Sequence, residues 1–344
     1  MTRHRALPAT LLACLLLALF GCTPEPSTPS ATPSDATVTE IPAVVLPLSG
    51  PLGKASAEIS GMAWYGDALV LLPQYPSRFG ESLFTLPRSE ILAYLEGERT
   101  APLEPTPIPF LFEGLEGIAG FEGFEAIAFE DASVFLTIEA RQAGGMVGYL
   151  VAGEVAEGLS EIRVEVEPLV ELPPQAPLDN FSDELLLVTD GSVLTLYETS
   201  GVNVNPSPVM RRFSTAGLEP EGTLPFPNIE YRLTDATAID AEGRFWAINY
   251  LWPGDVEKLQ PGPDPLAETY GEGPTHAAST TVERLVEFRV TEEGIVRTER
   301  PPLQLRLLED DARNWEGLVR LPGEGFLLAT DKFPETILAF VAGE

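Results

Sequence analysis

Residues Phe124 to Glu139 read FEAIAFEDASVFLTIE: an acid, a small apolar run, a two-residue turn, a second apolar run and a closing acid. Two short β-rich runs joined by a tight polar turn are the signature of a β-hairpin. The same outline recurs in Glu58 to Gln74 (EISGMAWYGDALVLLPQ), Asp183 to Glu198 (DELLLVTDGSVLTLYE), Asp235 to Asn249 (DATAIDAEGRFWAIN) and Glu316 to Asp331 (EGLVRLPGEGFLLATD). In chain order the five units span 16, 14, 15, 14 and 15 positions from opening to closing residue. Their starts fall 67, 58, 52 and 81 residues apart. A hairpin of fixed size at irregular long intervals indicates repeated supersecondary units joined by loops of variable length.

Further strand-like stretches follow each hairpin: Ser82 to Leu86 and Thr106 to Phe112, Gly148 to Val155 and Glu161 to Leu169, Pro208 to Phe213 and Thr223 to Arg232, Arg284 to Val290 and Leu303 to Leu308. The fifth hairpin is followed by only one, Thr336 to Val341, while IPAVVLPL (Ile41 to Leu48) supplies an orphan strand at the start. Four strands per unit, the last unit one short and one strand left over, predict an all-β chain: a β-propeller of five blades whose ring is closed by the N-terminal strand. Such closure removes exposed sheet edges. Six blades are the alternative, with a degenerate blade between Asn249 and Glu316. That interval includes Leu251 to Thr281, which lacks alternation and reads as an inserted loop.

Composition agrees. Of 344 residues, 44% are hydrophobic, and 33 prolines and 30 glycines suit many turns better than long helices. A formal charge of −31 excludes nucleic acid as a partner, because phosphate neutralisation requires surface Lys and Arg. A monomer is expected.

Residues 1–21 combine Arg3 and Arg5 with the apolar run Leu11 to Phe20, too short to span a membrane and of signal-peptide type. The ending Leu19-Phe20-Gly21-Cys22 resembles the lipobox of bacterial lipoproteins, which implies cleavage before Cys22, lipidation of that residue and an exported, membrane-anchored protein at the cell surface or in the periplasm. Cys14 leaves with the signal, so no disulfide is expected. Residues 22–40 are rich in Pro, Ser and Thr and read as an extended tether. The propeller is expected over 41–344.

The motif Asn314-Trp315-Glu316-Gly317-Leu318, with LLATDKFPETILAF after it, resembles the phytase-like or esterase-like propeller domains of bacterial exported proteins. Calcium-dependent apyrases and six-bladed lactonases are similar in setting carboxylates or a divalent cation near the propeller axis. These resemblances imply a metal-dependent hydrolase of phosphoesters, phosphoanhydrides or lactones, with Ca²⁺ as cofactor and Glu125, Glu139 or Glu316 as base.

Hairpin geometry supplies its own argument for a site. The first strand starts where the second ends, so opening and closing residues meet on one rim. That places Glu58, Glu125, Glu139, Asp183, Glu198, Asp235, Glu316 and Asp331 around the channel mouth, as carboxylates whose repulsion a hard cation such as Ca²⁺ would relieve. In a chain this acidic they are alternatively solvated turn residues, with Arg141, Arg320 and Lys332 near enough in sequence to neutralise some. Trp252 and Tyr250, with the closing amides Asn249 and Gln74, are candidate ligand contacts. Loops Tyr75 to Gly80, Arg141 to Val147, Thr199 to Pro206 and 250–281 should emerge on the same rim, where long loops on a rigid scaffold commonly carry binding.

Other chemistries are excluded. One histidine, His276, follows the signal segment, so no multi-His zinc site can form; it is expected as a solvated loop residue. No Gly-x-Ser-x-Gly elbow or phosphate-cradling Gly-Lys-Ser/Thr motif occurs. The expected function is binding of a small molecule or surface protein on an acidic, loop-rich rim, with the calcium-dependent hydrolase and a purely structural surface module as alternatives.

Overall fold

The computed structural model describes residues 38–309 and 311–343. The expected signal peptide, Cys22 and the tether up to residue 37 lie outside the described residues. Strand β1 (Val44–Leu46) comes first in the chain. Blade one is β2 (Ile59–Tyr65), β3 (Ala68–Pro73), β4 (Ser82–Pro87) and β5 (Thr106–Leu111); blade two is β6 (Phe121–Glu130), β7 (Ser133–Gln142), β8 (Gly145–Val155) and β9 (Ile162–Val164), with β10 (Val170–Leu172) beside β8. Blade three is β11 (Asp183–Thr189), β12 (Ser192–Tyr197), β13 (Val209–Ser214) and β14 (Pro220–Pro225). Blade four is β15 (Arg232–Ala236), β16 (Arg244–Leu251), β17 (Val282–Thr291) and β18 (Gly294–Arg297), with β19 (Leu303–Gln304) beside β17. Blade five is β20 (Trp315–Leu321), β21 (Gly325–Thr330) and β22 (Leu338–Ala342), and its outer strand is β1.

The innermost strands β2, β6, β11, β15 and β20 neighbour one another in a closed ring. The protein is a five-bladed β-propeller. The N-terminal strand closes it: Val44, Val45 and Leu46 pair antiparallel with Phe340, Ala339 and Leu338. Blades one and two are also joined at their outer edges, where β5 and β9 run parallel through Phe110 and Ile162.

Each blade packs against both neighbours, which is why its strands read as continuous apolar runs rather than alternating ones. In β3, Leu69 and Leu71 enter the core shared with blade five, and Val70 and Leu72 the core shared with blade two. Comparable cores fill the two-three, three-four and four-five interfaces. Trp246 and Trp315 are both buried in the last of these.

Arg88–Leu95, a stretch for which the sequence carried no expectation, forms a helix, α1, that buries Ile91 in the five-one core. Two local expectations are corrected. The fourth strand of blade four is β18, not Leu303 to Leu308. His276 is buried rather than solvated: its Nδ1 lies 3.0 Å from Glu40 Oε1, and its Nε2 accepts from the Glu283 backbone N–H at 3.2 Å. Among the described residues no helix is long and apolar enough to cross a membrane.

Candidate functional site

All five inner hairpins carry a register shift at the start of the first strand. The shift falls at Ser60, Glu125, Glu184, Thr234-Asp235 and Glu316 in blades one to five. A β-bulge adds one residue and re-aims side chains. In blades one and four the bulge hydroxyls are spent on the next blade, Ser60 donating to the Phe124 carbonyl and Thr234 to that of Trp315. In blades two, three and five the bulge residue is a glutamate that faces a cavity of about 590 Å³ at the mouth of the channel.

The bulges change the expected pairings. Glu139 stands opposite Gly123 rather than Glu125, Asp183 opposite Tyr197, and Asn249 opposite Leu233. Glu125, Glu139, Glu316 and Asp331 line the cavity together with Gln74, Tyr250 and Trp252, so these seven expected site residues do meet. Glu198 lies just behind the wall, completely buried. Three expected carboxylates go elsewhere. Asp183 turns into its own blade and accepts from Arg211 Nη1 at 2.7 Å and from Thr195 at 2.9 Å. Asp235 accepts from the Leu318 backbone N–H at 2.6 Å, tying blade four to blade five. Glu58, at a positive φ of 58°, pairs with Arg78 and Lys332. Asn249 is fully buried and serves the backbone, donating to the carbonyls of Glu230 and Arg232. Of the expected rim loops, Tyr75 and the segment around Trp252 border the cavity.

Two site residues were missed from sequence. Glu184 takes the place given to Asp183, because one residue of register exchanges the faces of a strand. Arg232 was assigned to the last strand of blade three, but it opens the innermost strand of blade four. Its guanidinium lies in the cavity wall, donating from Nε to Glu198, from Nη2 to Glu184 at 3.1 Å and from Nη1 to Asn314 Oδ1 at 3.3 Å. The rings of Phe181 and Tyr250 each centre 5.8 Å from it.

One guanidinium does not balance six neighbouring carboxyl groups. Burial, followed by repulsion from Glu198 and Glu122, pushes the Glu139 carboxyl up to about 8. Glu184 is raised to about 7 by burial, opposed by Arg232 and reinforced by Glu139. Burial raises Glu125 and Glu316 well above the ordinary range, with Glu139 and Glu184 adding to the first and Asp331 and Glu184 to the second. Glu198 and Asp331 are raised by burial too, against Arg232 and the Phe333 N–H respectively. Gln74 donates to Glu125 at 3.0 Å and Asn314 to Glu316. Glu139, only 8% exposed, receives no well-formed hydrogen bond among the described residues; the nearby Ser182 hydroxyl favours its charged form but is itself unpartnered.

An oxygen-rich wall of this kind has the donor chemistry of a calcium site. The side chains do not fit one as they stand: among the described residues no three acidic, His or Cys groups converge closely enough to hold a metal ion, and Arg232 supplies the local positive charge. A larger groove of about 820 Å³ lies by the outer strands of blades one and two, bordered by Phe112, Glu113, Arg163 and Glu165. None of the bulge residues lines it, and among the described residues no unpartnered buried polar group is found in its wall.

No protein-family model matches the sequence, and no curated protein matches it. Solved structures similar in fold include one described for the GH130 family of mannoside phosphorylases, at TM-score 0.48 and 10% identity over 91% of this chain and 98% of that one. Another is the GH43 endo-arabinanase from Bacillus licheniformis, at TM-score 0.46 and 10% identity over 84% of this chain and 95% of that one. A third is an α-L-arabinanase from Cellvibrio cellulosa complexed with arabinohexaose, at TM-score 0.42 and 10% identity over 83% and 92%. The likeness is one of fold and carries no site residue across.

Proposed function

We propose that the chain is a ligand-binding β-propeller that takes a small polar molecule into the cavity at the mouth of its axis. The observation that carries this reading is the convergence of Glu125, Glu139, Glu184 and Glu316, from three different blades, with Arg232 on one cavity, where the largely buried Glu139 makes no well-formed hydrogen bond. Holding that many carboxyl groups together costs stability, and a partner that arrives from outside best explains their retention. The cavity also has the size of ordinary small-molecule pockets. A lipid on Cys22, which the lipobox-like ending supports, would hold this pocket outside the cytoplasm.

A specific observation favours acid–base hydrolysis as a second reading. Burial pushes the Glu139 carboxyl up to about 8, while Glu184 in the same cavity is tied to Arg232, and a raised acid beside a paired carboxyl suits cleavage of a glycosidic bond. Phosphoester hydrolysis fits less well, because phosphate would enter a wall of its own sign.

The test is a thermal-shift screen of the full chain with neutral sugars, organic amines and phosphate esters, repeated with Glu139→Gln and Trp252→Ala. A compound class that raises Tm in the unaltered protein and not in the variants supports the pocket. Absence of stabilisation by every class overturns it. Release of aryl alcohol from aryl glycosides, lost in Glu139→Gln, would select the hydrolase.

A further inference from the structure

We infer that the ligand of this cavity is an organic cation, an alkylammonium or polyamine, whose charge is received by Glu139 and its neighbours. The inference rests on the ligand-binding reading above and concerns which chemistry the pocket accepts.

The charges facing Glu139 come from every blade of the ring except the first, which contributes the neutral Gln74 and the phenol of Tyr75; Tyr250 and Asp311 also line the cavity. Blade two adds Glu122 and Glu125, blade three Glu184 and Glu198, blade four Arg232, and blade five Glu316 and Asp331. Arg232 is committed to Glu184 and Glu198. At the rim, Arg141 is paired with Glu122, Lys332 with Glu58, and Lys258 stands 3.5 Å from Asp255. Glu125, Glu139 and Glu316 therefore face the cavity without a salt bridge, and Asp331 has only the shared charges of Lys332 and Arg232 near it. An anionic ligand would worsen this balance. A neutral polyol would leave it unchanged, and only a cation improves it.

The mouth agrees with that charge. Trp252 and Phe333 border the cavity and are 52% and 56% exposed, two large apolar side chains left open to water. Aromatic faces attract ammonium groups, most strongly where water is excluded. The Lys332 ammonium, 5.5 Å from the Phe333 ring centroid, already uses one of them in this way.

In the unliganded protein, protons do the work assigned here to the ligand. Burial and neighbouring carboxylates hold Glu139 protonated to about 8. Binding is then an exchange: the Glu139 carboxylic acid and a ligand ammonium give a carboxylate–ammonium pair and one released proton. Affinity should rise as pH rises towards 8 and level off above it, by up to about tenfold per pH unit for each proton released.

The experiment is calorimetric titration of the full chain with choline, spermidine and glucose at about pH 6 and about pH 8, in two buffers of different ionisation heat. Saturable binding of choline or spermidine, about tenfold or more tighter at the higher pH and with buffer-dependent heat, is expected. Glu139→Gln should weaken it by about thirtyfold or more, as loss of one partner of a buried charge pair does, with its own Tm undiminished. Cation affinity that is independent of pH, or equal in Glu139→Gln, marks attraction to the acidic surface and overturns the inference. Binding of glucose alone, lost in Trp252→Ala, overturns the cation and keeps the pocket. No heat with any probe overturns the cation inference, and the thermal-shift screen then decides separately whether the pocket reading survives.

Discussion

Arg232 and Glu198 form an ion pair in which the carboxylate is completely buried and the guanidinium side chain is only 12% exposed. The same guanidinium reaches Glu184, so one cation holds two acids of blade three against blade four. Asn249 fixes the Arg232 carbonyl from the neighbouring strand at 3.1 Å. Replacing Arg232 by Met should cost about 3–5 kcal/mol at about pH 8, since a buried pair broken on one side leaves an uncompensated charge. Part of the loss should return at about pH 5.5, where Glu184 and Glu198 can take protons. Urea denaturation at the two pH values measures both effects.

The raised carboxyls set the pH dependence of the whole fold. A folded-state value above the unfolded one means that the native protein binds more protons, so stability falls as pH rises between the two values. For Glu139 that window runs from its ordinary value of 4.5 to about 8. The protein should lose stability across this range, and Glu139→Gln should remove much of the slope. At about pH 8 the variant should exceed the unaltered protein by on the order of 1–3 kcal/mol, since each tenfold change in proton affinity on folding is worth about 1.4 kcal/mol. A ligand site that stabilises the protein when its key acid is neutralised is the usual conflict between function and stability.

Gly123 stands opposite Glu139 and beside Gln74 in the next blade. Its φ is +132°, and an added Cβ would lie 2.4 Å from Gln74 Cγ and 2.9 Å from the Gln74 carbonyl oxygen. Gly123→Ala should therefore push Gln74 away from Glu125, combining backbone strain with a clash at about 1–3 kcal/mol. Gln74→Ala, which removes the same hydrogen bond without strain, should lose less stability while altering ligand affinity similarly. Tm and titration on the two variants distinguish the contributions.

The five hairpins and the closing strand were legible because they depend on local chemistry: apolar runs, tight turns and a missing last strand. The bulges were not, since a one-residue insertion leaves no mark in an apolar–acid pattern. That omission is what put Asp183 rather than Glu184 in the pocket. Arg232 escaped for a related reason. Phe226 to Arg232 contains both the exit from blade three and the entry to blade four, and the strand-like stretch Thr223 to Arg232 runs straight through the turn residues Pro227 and Asn228 that separate them. Helix α1 was hidden by the brevity of its apolar signal, a single buried Ile91.

Ring closure rests on a short strand, and its inward side chain carries the load. Leu46 is fully buried in the five-one core, whereas its neighbour Val45 is 49% exposed. Leu46→Ala should cost about 2–5 kcal/mol through lost burial and the cavity left behind. Val45→Ala should stay within about 0.5 kcal/mol, the usual range for surface positions. Equal effects would mean that strand pairing rather than core packing closes the ring.

Glu40 ties the segment before that strand to the long insertion of blade four. Its Oε1 accepts from the backbone N–H groups of Thr275 at 2.9 Å and His276 at 3.1 Å, and meets His276 Nδ1 at 3.0 Å. Burial acts to raise this carboxyl, but the bonds from His276 and Thr275 outweigh it and hold Glu40 below its ordinary value. A lowered carboxyl contributes stability that is present above the unfolded value and lost as pH falls through the folded one. The loss should therefore appear on the acid side, opposite to that of Glu139, leaving an optimum between the two. Glu40→Ala strands two amide donors and the imidazole, and should cost about 1–3 kcal/mol. The change should be local first: amide hydrogens over 273–277 should exchange faster while those of β11 and β12 in blade three keep their protection. Uniform acceleration across the propeller would show that Glu40 supports the ring as a whole.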